Sequence, residues 1–272
     1  MADDLRGASP RRIRELCRIG SFSGLTAGLA MGYTQANLVV LPSTWAVEFR
    51  RFCELNPKPC PILEVTESGH FEAVRLAPNS DVRTDLPRYR VYHDGVLTDE
   101  PTSILHYWPD VDAPYPDLVA FLIGCSFTFE SALLAASVPV RHVEEGRNVP
   151  MYRTNIPCVP AGPYRGSLIV SMRPMTVRQA EIATRITAAI PKVHGSPVHI
   201  GDPAVLGIKD LSKPDYGDAV TIREGEVPVF WACGVTPLEA ILHAKSDIAI
   251  VHEPGHMFVT DLLDCDLREP GA

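Results

Sequence analysis

The stretch DLVAFLIGCSFTFESALLAA, residues 117 to 136, reads as an unbroken apolar strand, a short polar turn and a helix. A strand without polar alternation has both faces buried, and parallel sheets covered by helices are where such strands are most at home. The same grammar returns twice. SLIVSMRP (167–174) leads into MTVRQAEIATRITAAIP, where Thr176 and Gln179 spell a capping box and Val177, Ala180, Ala183, Ile186 and Ile190 make an apolar face. VPVFWACGVTPLEAILHAKSDIAIVHE (227–253) reads strand, helix, strand, with Thr236 as N-cap, Pro237 in the first turn and Glu239 completing a second box. This alternation predicts an α/β fold: a mixed, largely parallel sheet with flanking helices and a smaller inserted α/β lobe. Residues 1–145 with 225–272 would form the main domain and 146–224 the lobe.

The first half is less legible. RRIRELCRI (11–19) is a short amphipathic helix, ANLVVLP (36–42) a strand, and STWAVEFRRFCEL (43–55) a helix with Val47, Phe49, Phe52 and Leu55 inward. From 56 to 117 turn residues break the text, leaving room for short strands such as YRVYH. MYRTNIPCVPAGPYRG (151–166) reads as a proline-rich ordered loop. With 46% hydrophobic and 21% charged residues the composition is that of a globular protein. A net charge of −8 without a basic run argues against nucleic acid or an anionic membrane as partner. Seven scattered cysteines without a C-x-x-C pair suit a reducing, cytoplasmic setting.

Chemistry concentrates at strand ends. In parallel sheets ligands bind at the carboxyl edge, where following helices offer their N-termini. Cys125 with Ser126 follows one apolar strand, Cys233 with Thr236 another, and His252 ends a third. If the strands before Cys233 and His252 are parallel, those two residues share an edge. His252 opens HEPGH (252–256), which fits the zinc-protease pattern H-E-x-x-H. That pattern works only on a helix, and Pro254 and Gly255 oppose one. His252 and His256 are therefore expected to flank a turn, with no metal and no cofactor. Arg153, with Thr154 and Asn155, is a candidate carboxylate clamp, since a guanidinium binds carboxylates bidentately. Arg173, Asp202 and Asp218 are weighed as site residues against structural ion pairs and Asx turns.

GCSFTFE (124–130), PMYRTNIPC (150–158), SLIVSMRP (167–174), GSPVHIGDP (195–203), GEVPVFWACGVTP (225–237) and HEPGHMFVTD (252–261) occur in that order, after GYTQANLVVLP (32–42), FCELNPKPCP (52–61) and DVRTDLPRYRVY (81–92). Together they resemble the bacterial putative hydro-lyase family, which is similar to the first part of mitochondrial D-glutamate cyclase. The resemblance spans about residues 10 to 262. It implies a cytoplasmic lyase acting near glutamate and 5-oxoproline, on a small carboxylate or amino acid. Members often carry Ala where Glu253 stands, so the Glu of the apparent zinc motif is incidental. D-Glutamate cyclisation is formally a dehydration and needs a carboxylate clamp, a base for the ammonium and an acid for the departing oxygen. Arg153, Thr154 and Asn155 would be the clamp and His252 or Asp202 the base, with the acid unassigned. Two rivals stand beside this: a cofactor-independent racemase or epimerase with Cys125 and Cys233 as facing thiols, and a non-catalytic small-acid binding protein. Assembly into a homo-oligomer is left open.

Overall fold

A computed structural model describes residues 5–110 and 112–268. The strands are β1 (Tyr33–Pro42), β2 (Ile62–Val65), β3 (Tyr89–His93), β4 (Val96–Asp99), β5 (Leu118–Gly124), β6 (Met151–Pro157), β7 (Ser167–Thr176), β8 (His199–Ile200), β9 (Glu226–Ala232), β10 (Ala249–His252) and β11 (Phe258–Leu263). The helices are α1 (Pro10–Arg18), α2 (Ser43–Leu55), α3 (Glu130–Ala135), α4 (Arg141–Glu144), α5 (Val177–Ala188) and α6 (Thr236–Ala244). None among the described residues is long and apolar enough to cross a membrane.

The expected largely parallel sheet is not what forms. One sheet has the order β2-β5-β1-β10-β3-β4, with β11 also on β1, and the other is β6-β7-β9-β8. Every pairing in both is antiparallel. The apolar runs were a true signal of burial and a false one of direction. In β5, Val119, Phe121 and Ile123 face one core cluster while Leu118, Ala120 and Leu122 face another. In β1, Val39 and Leu41 join the first, and Ala36, Leu38 and Val40 the second. A central strand of an antiparallel sheet covered on both faces carries the same two-sided apolar code as a parallel one.

Smaller expectations also change. MYRTNIP is strand β6 rather than loop, with Met151 in the inter-sheet core and Tyr152 on the opposite face. The second capping box does not form: Thr236 is the first helical residue of α6, and the Val235 before it provides no side-chain cap. The first is present at Thr176 and Gln179. On α2 the buried residues are Ala46, Phe49, Phe52 and Cys53, while Val47 and Leu55 are exposed.

Candidate active site

β10 ends at His252, a turn covers the next residues, and β11 begins at Phe258, so HEPGH is no helix. Gly255 sits at φ +89°, where a side chain is strained, and a Cβ there would come within 2.7 Å of the Asn148 amide. The turn is clamped on both sides. Asn148 Nδ2 donates to Pro254 O at 3.0 Å. Thr26 donates from N and Oγ1 to Gly255 O and accepts from Met257 N. His252 and His256 are thereby both buried, but they are not stacked on one helical face.

Beside the turn is a cavity of about 400 Å³, walled by Arg90, Asn148, Tyr216, Asp218, Glu253 and His256 among others. Its polar atoms are incompletely paired. Arg90 Nη2 stands 3.7 Å from Glu253 Oε1, and Arg88 Nη1 stands 3.7 Å from Glu253 Oε2; both separations exceed a hydrogen bond. Arg90 Nε lies 3.0 Å from Glu100 Oε1 but off its N–H direction, so it makes no hydrogen bond. Asn148 Oδ1 and Glu253 Oε2 are buried acceptors without a donor. Native interiors leave few such groups, and several around one cavity point to something that binds there.

The two histidines are tuned alike. Burial lowers the pKa of both, that of His252 to about 4, so both rings are neutral near pH 7. His256 Nδ1 faces Pro254 O at 3.3 Å, which puts the proton on Nδ1 and leaves Nε2 a free base. His252 Nδ1 lies 3.2 Å from the Leu38 N–H and 3.3 Å from Leu38 O, and its buried Nε2 has no partner. His252 stands behind the cavity wall, close enough to His256 for their charges to interact.

The expected parallel pair β9 and β10 lies in two different sheets, so Cys233 and His252 share no strand edge. Nonetheless β5 and β10 are both antiparallel to β1 and hence point the same way, which puts Cys125 and His252 toward one edge. Cys233 arrives there from the other sheet. Asn37 on β1 donates to Ile123 O and Gly124 O, and a Cβ on Gly234 would meet its Nδ2 at 2.0 Å. Burial keeps both thiols protonated: it pushes Cys233 up to about 11 and raises Cys125 further. At Cys125 the Phe127 N–H, which reaches its Sγ at 3.5 Å, pulls the other way and loses.

Behind the thiols Arg173 is fully buried. It donates to Glu130 from Nε (3.1 Å) and Nη2, to Ser171 Oγ (3.2 Å) and to Ser126 Oγ (3.0 Å). His142 Nε2 lies 3.1 Å from the same Glu130. Thr236 Oγ1 donates to Cys233 O and accepts from Ile169 N, tying α6 to β7. The Arg153 fork is closed from within: Glu239 takes Nε (3.0 Å) and Nη2 (2.7 Å), and Asp215 takes Nη1 (3.2 Å). Thr154 Oγ1 donates to Leu168 O, and Asn155 Nδ2 reaches Val205 O from the surface. Asp202 caps a 3-10 turn through Ala204 N, and Asp218 accepts from Asn148 N.

A family model described as D-glutamate cyclase matches residues 119–261. The chain belongs to the D-glutamate cyclase family. Proteins named "Putative hydro-lyase" are similar along nearly its whole length. The one from Stutzerimonas stutzeri is 56% identical over 95% of this chain and 96% of its own. The one from Bacillus subtilis is 53% identical over 94% and 97%. The one from Rubrobacter xylanophilus is 56% identical over 93% and 95%. Asn148, Tyr216, His252 and His256 fall inside the matched segment of the cyclase family, and Arg90 falls before it. Arg90, Asn148 and Tyr216 were not singled out from sequence. An Arg in a strand such as RYRVYH looks like any exposed strand position, and only the pairing of β3 with β10 brings it to the histidine turn.

Proposed function

We propose that the protein removes water from a small amino acid bearing two carboxyl groups, converting D-glutamate to 5-oxoproline in the cavity at the histidine turn. One observation carries the reading: a guanidinium without a hydrogen-bonded carboxylate, a buried unpartnered acceptor and a neutral base line one cavity. Arg90 takes the substrate α-carboxylate. Asn148 Oδ1 accepts from the ammonium, the donor it lacks in the free protein. His256 Nε2 removes one ammonium proton, and the freed amine attacks the side-chain carboxyl carbon. The C–N bond forms, the C–O bond breaks, and the departing oxygen leaves as water once protonated. That oxygen needs two protons and the ammonium gives up two: His256 returns the one it took, and the second passes from the nitrogen as the tetrahedral intermediate collapses. Membership of the cyclase family and the hydro-lyase names of the relatives support the reaction class.

The test is incubation with D-glutamate, L-glutamate and the 2-hydroxy analogue, read by mass spectrometry for loss of water. D-Glutamate should convert in the wild type, and the rate should fall at least about a hundredfold in Arg90→Ala and in His256→Ala, the scale of losing a positioned charge or a general base. Binding without conversion, or conversion that both variants retain, would remove the cavity from the chemistry.

A further inference from the structure

A second cavity, of about 620 Å³, opens at the far edge of the larger sheet, against all four residues of β2. Three cations line it: Arg50 from α2, Arg75 from the segment after β2, and Lys192 from the 3-10 turn Pro191–Val193. None of the three makes a side-chain hydrogen bond or ion pair among the described residues. The chain has 25 lysines and arginines against 33 acids, so unpaired cations gathered at one cavity are against its general balance. Two carboxylates share the wall, so the cations exceed the acids by one. Glu64 spends both oxygens on the backbone N–H groups of Arg75 (3.0 Å) and Leu76 (2.8 Å), which leaves Asp266 as the other acid on the wall.

The backbones that carry these cations are held firmly. Glu64 fixes the Arg75 peptide. Lys192 presses its carbonyl against Gly124 so closely that a Cβ there would lie 2.0 Å away. Arg50 rides on a helix whose Phe49 and Phe52 are fully buried beside it. Like charges gathered on exposed side chains around a concave space repel one another, and a multiply charged anion relieves that repulsion more than a single carboxylate does. Two guanidinium forks and one ammonium also suit the tetrahedral, three-acceptor face of a phosphate. The site is separate from the histidine turn, because β5 and β1 lie between β2 and β10, and strands stand about 4.8 Å apart.

We infer that this cavity binds a small phosphate-bearing polyanion, through Arg50, Arg75 and Lys192. The probes are pyrophosphate, inorganic phosphate, a nucleoside diphosphate and, as a carboxylate control, succinate, each titrated calorimetrically into phosphate-free protein at low and moderate salt. Pyrophosphate should bind once per chain, more weakly as salt rises, and succinate at least about tenfold less well, having half the charge at each end. The triple variant Arg50→Gln, Arg75→Gln, Lys192→Gln should lose the binding, with its melting temperature and turnover of D-glutamate unchanged, since all three side chains are free of internal partners. A nucleoside diphosphate that binds tighter than pyrophosphate assigns an organic phosphate, and equal binding assigns the free ion. Absence of pyrophosphate binding, equal binding by the triple variant, or succinate binding as tight as pyrophosphate would each overturn the inference.

Discussion

Two polar regions lie between the sheets, and they differ in what their charges have left to do. Around Arg173 the guanidinium has a hydrogen-bonded carboxylate and two hydroxyls, aromatic rings of Phe129 and Trp231 lie 5.0 and 5.6 Å from its carbon, and although Glu130 Oε2 and His142 Nε2 lack partners, the space against Glu130 is only about 10 Å³. Around Arg90 the nearest carboxylates stand too far or at the wrong angle, acceptors lack donors, and a cavity opens among them. Both contain an arginine, glutamate and histidine, so composition does not separate them. Residual hydrogen-bonding capacity next to open space does. The Arg173 cluster is a bolt between two core layers. The Arg90 cluster is a receptor.

Neutralising each arginine is the sharpest way to break that contrast. Arg173→Met leaves Glu130 buried without its main partner and should cost about 3–5 kcal/mol, the scale of an orphaned buried charge. The double change Arg173→Met with Glu130→Leu should recover much of that loss, because the unpaired charge is gone. Arg90→Met should change stability by about 1 kcal/mol, since its approach to Glu100 is partly solvated and makes no hydrogen bond and its approach to Glu253 is long, yet abolish turnover. Urea unfolding beside a rate measurement reads both. If Arg90→Met were the more destabilising of the two, the receptor would be a bolt as well.

How far the sequence spoke follows the same divide. The strands with unbroken apolar runs, β1, β5, β7, β9 and β10, were legible because such runs report burial directly, whereas β6, with its polar and proline residues, read as a loop. Strand direction was not: β5 and β1 carry the run that a parallel sheet would need, and the register Val39 to Phe121 that makes them antiparallel is a long-range fact. HEPGH was legible as a turn because Pro-Gly is a local signal, and Gly255 at positive φ bears it out. Arg153 drew attention because its neighbours looked like donors, but its partners Asp215 and Glu239 are 62 and 86 residues away. Asn148 and Arg90 were missed for the same reason. Their meaning comes from the His-Pro-Gly turn that folds against them.

Acidification should separate the regions next. Burial holds His252 and His194 at about 4, against 6.5 for an unburied ring. The unfolded chain takes up those protons between pH 6.5 and 4 while the native rings refuse them, so stability is full above 6.5 and falls through that window. Each ring contributes on the order of 3 kcal/mol at most, because a tenfold change in proton affinity is worth about 1.4 kcal/mol. Asp264 opposes the trend: burial raises it to about 6, so it favours the fold as pH falls from 6 toward 4. Two rings against one carboxyl leave a net loss. Denaturant midpoints at pH 7.5, 6 and 4.5 should show it, and His252→Asn should remove most of the slope, because the remaining ring is nearly offset by Asp264. An unchanged slope in that variant would mean the turn does not hold its histidine neutral.

The smallest expected effect falls on Arg153, and it tests whether its fork belongs to scaffold or receptor. Glu239 is bound by Arg153 on two atoms and also accepts from Tyr216 Oη at 2.6 Å, while Asp215 accepts from both Arg153 N and Nη1. Tyr216 lines the cavity, so Arg153 holds one wall without reaching inside. Lysine keeps the charge and loses the planar pair of donors. Because the Arg153 side chain is 47% exposed, screening limits the loss, and Arg153→Lys should cost about 1 kcal/mol or less. With Tyr216 less firmly held, KM for D-glutamate should rise a few-fold while kcat stays near that of the wild type. Tyr216→Phe, which cuts the same link from the other end, should reproduce the KM change. Unchanged stability with a large loss of ligand affinity in Arg153→Lys, and none in Tyr216→Phe, would show instead that the guanidinium leaves Glu239 to clasp the substrate itself.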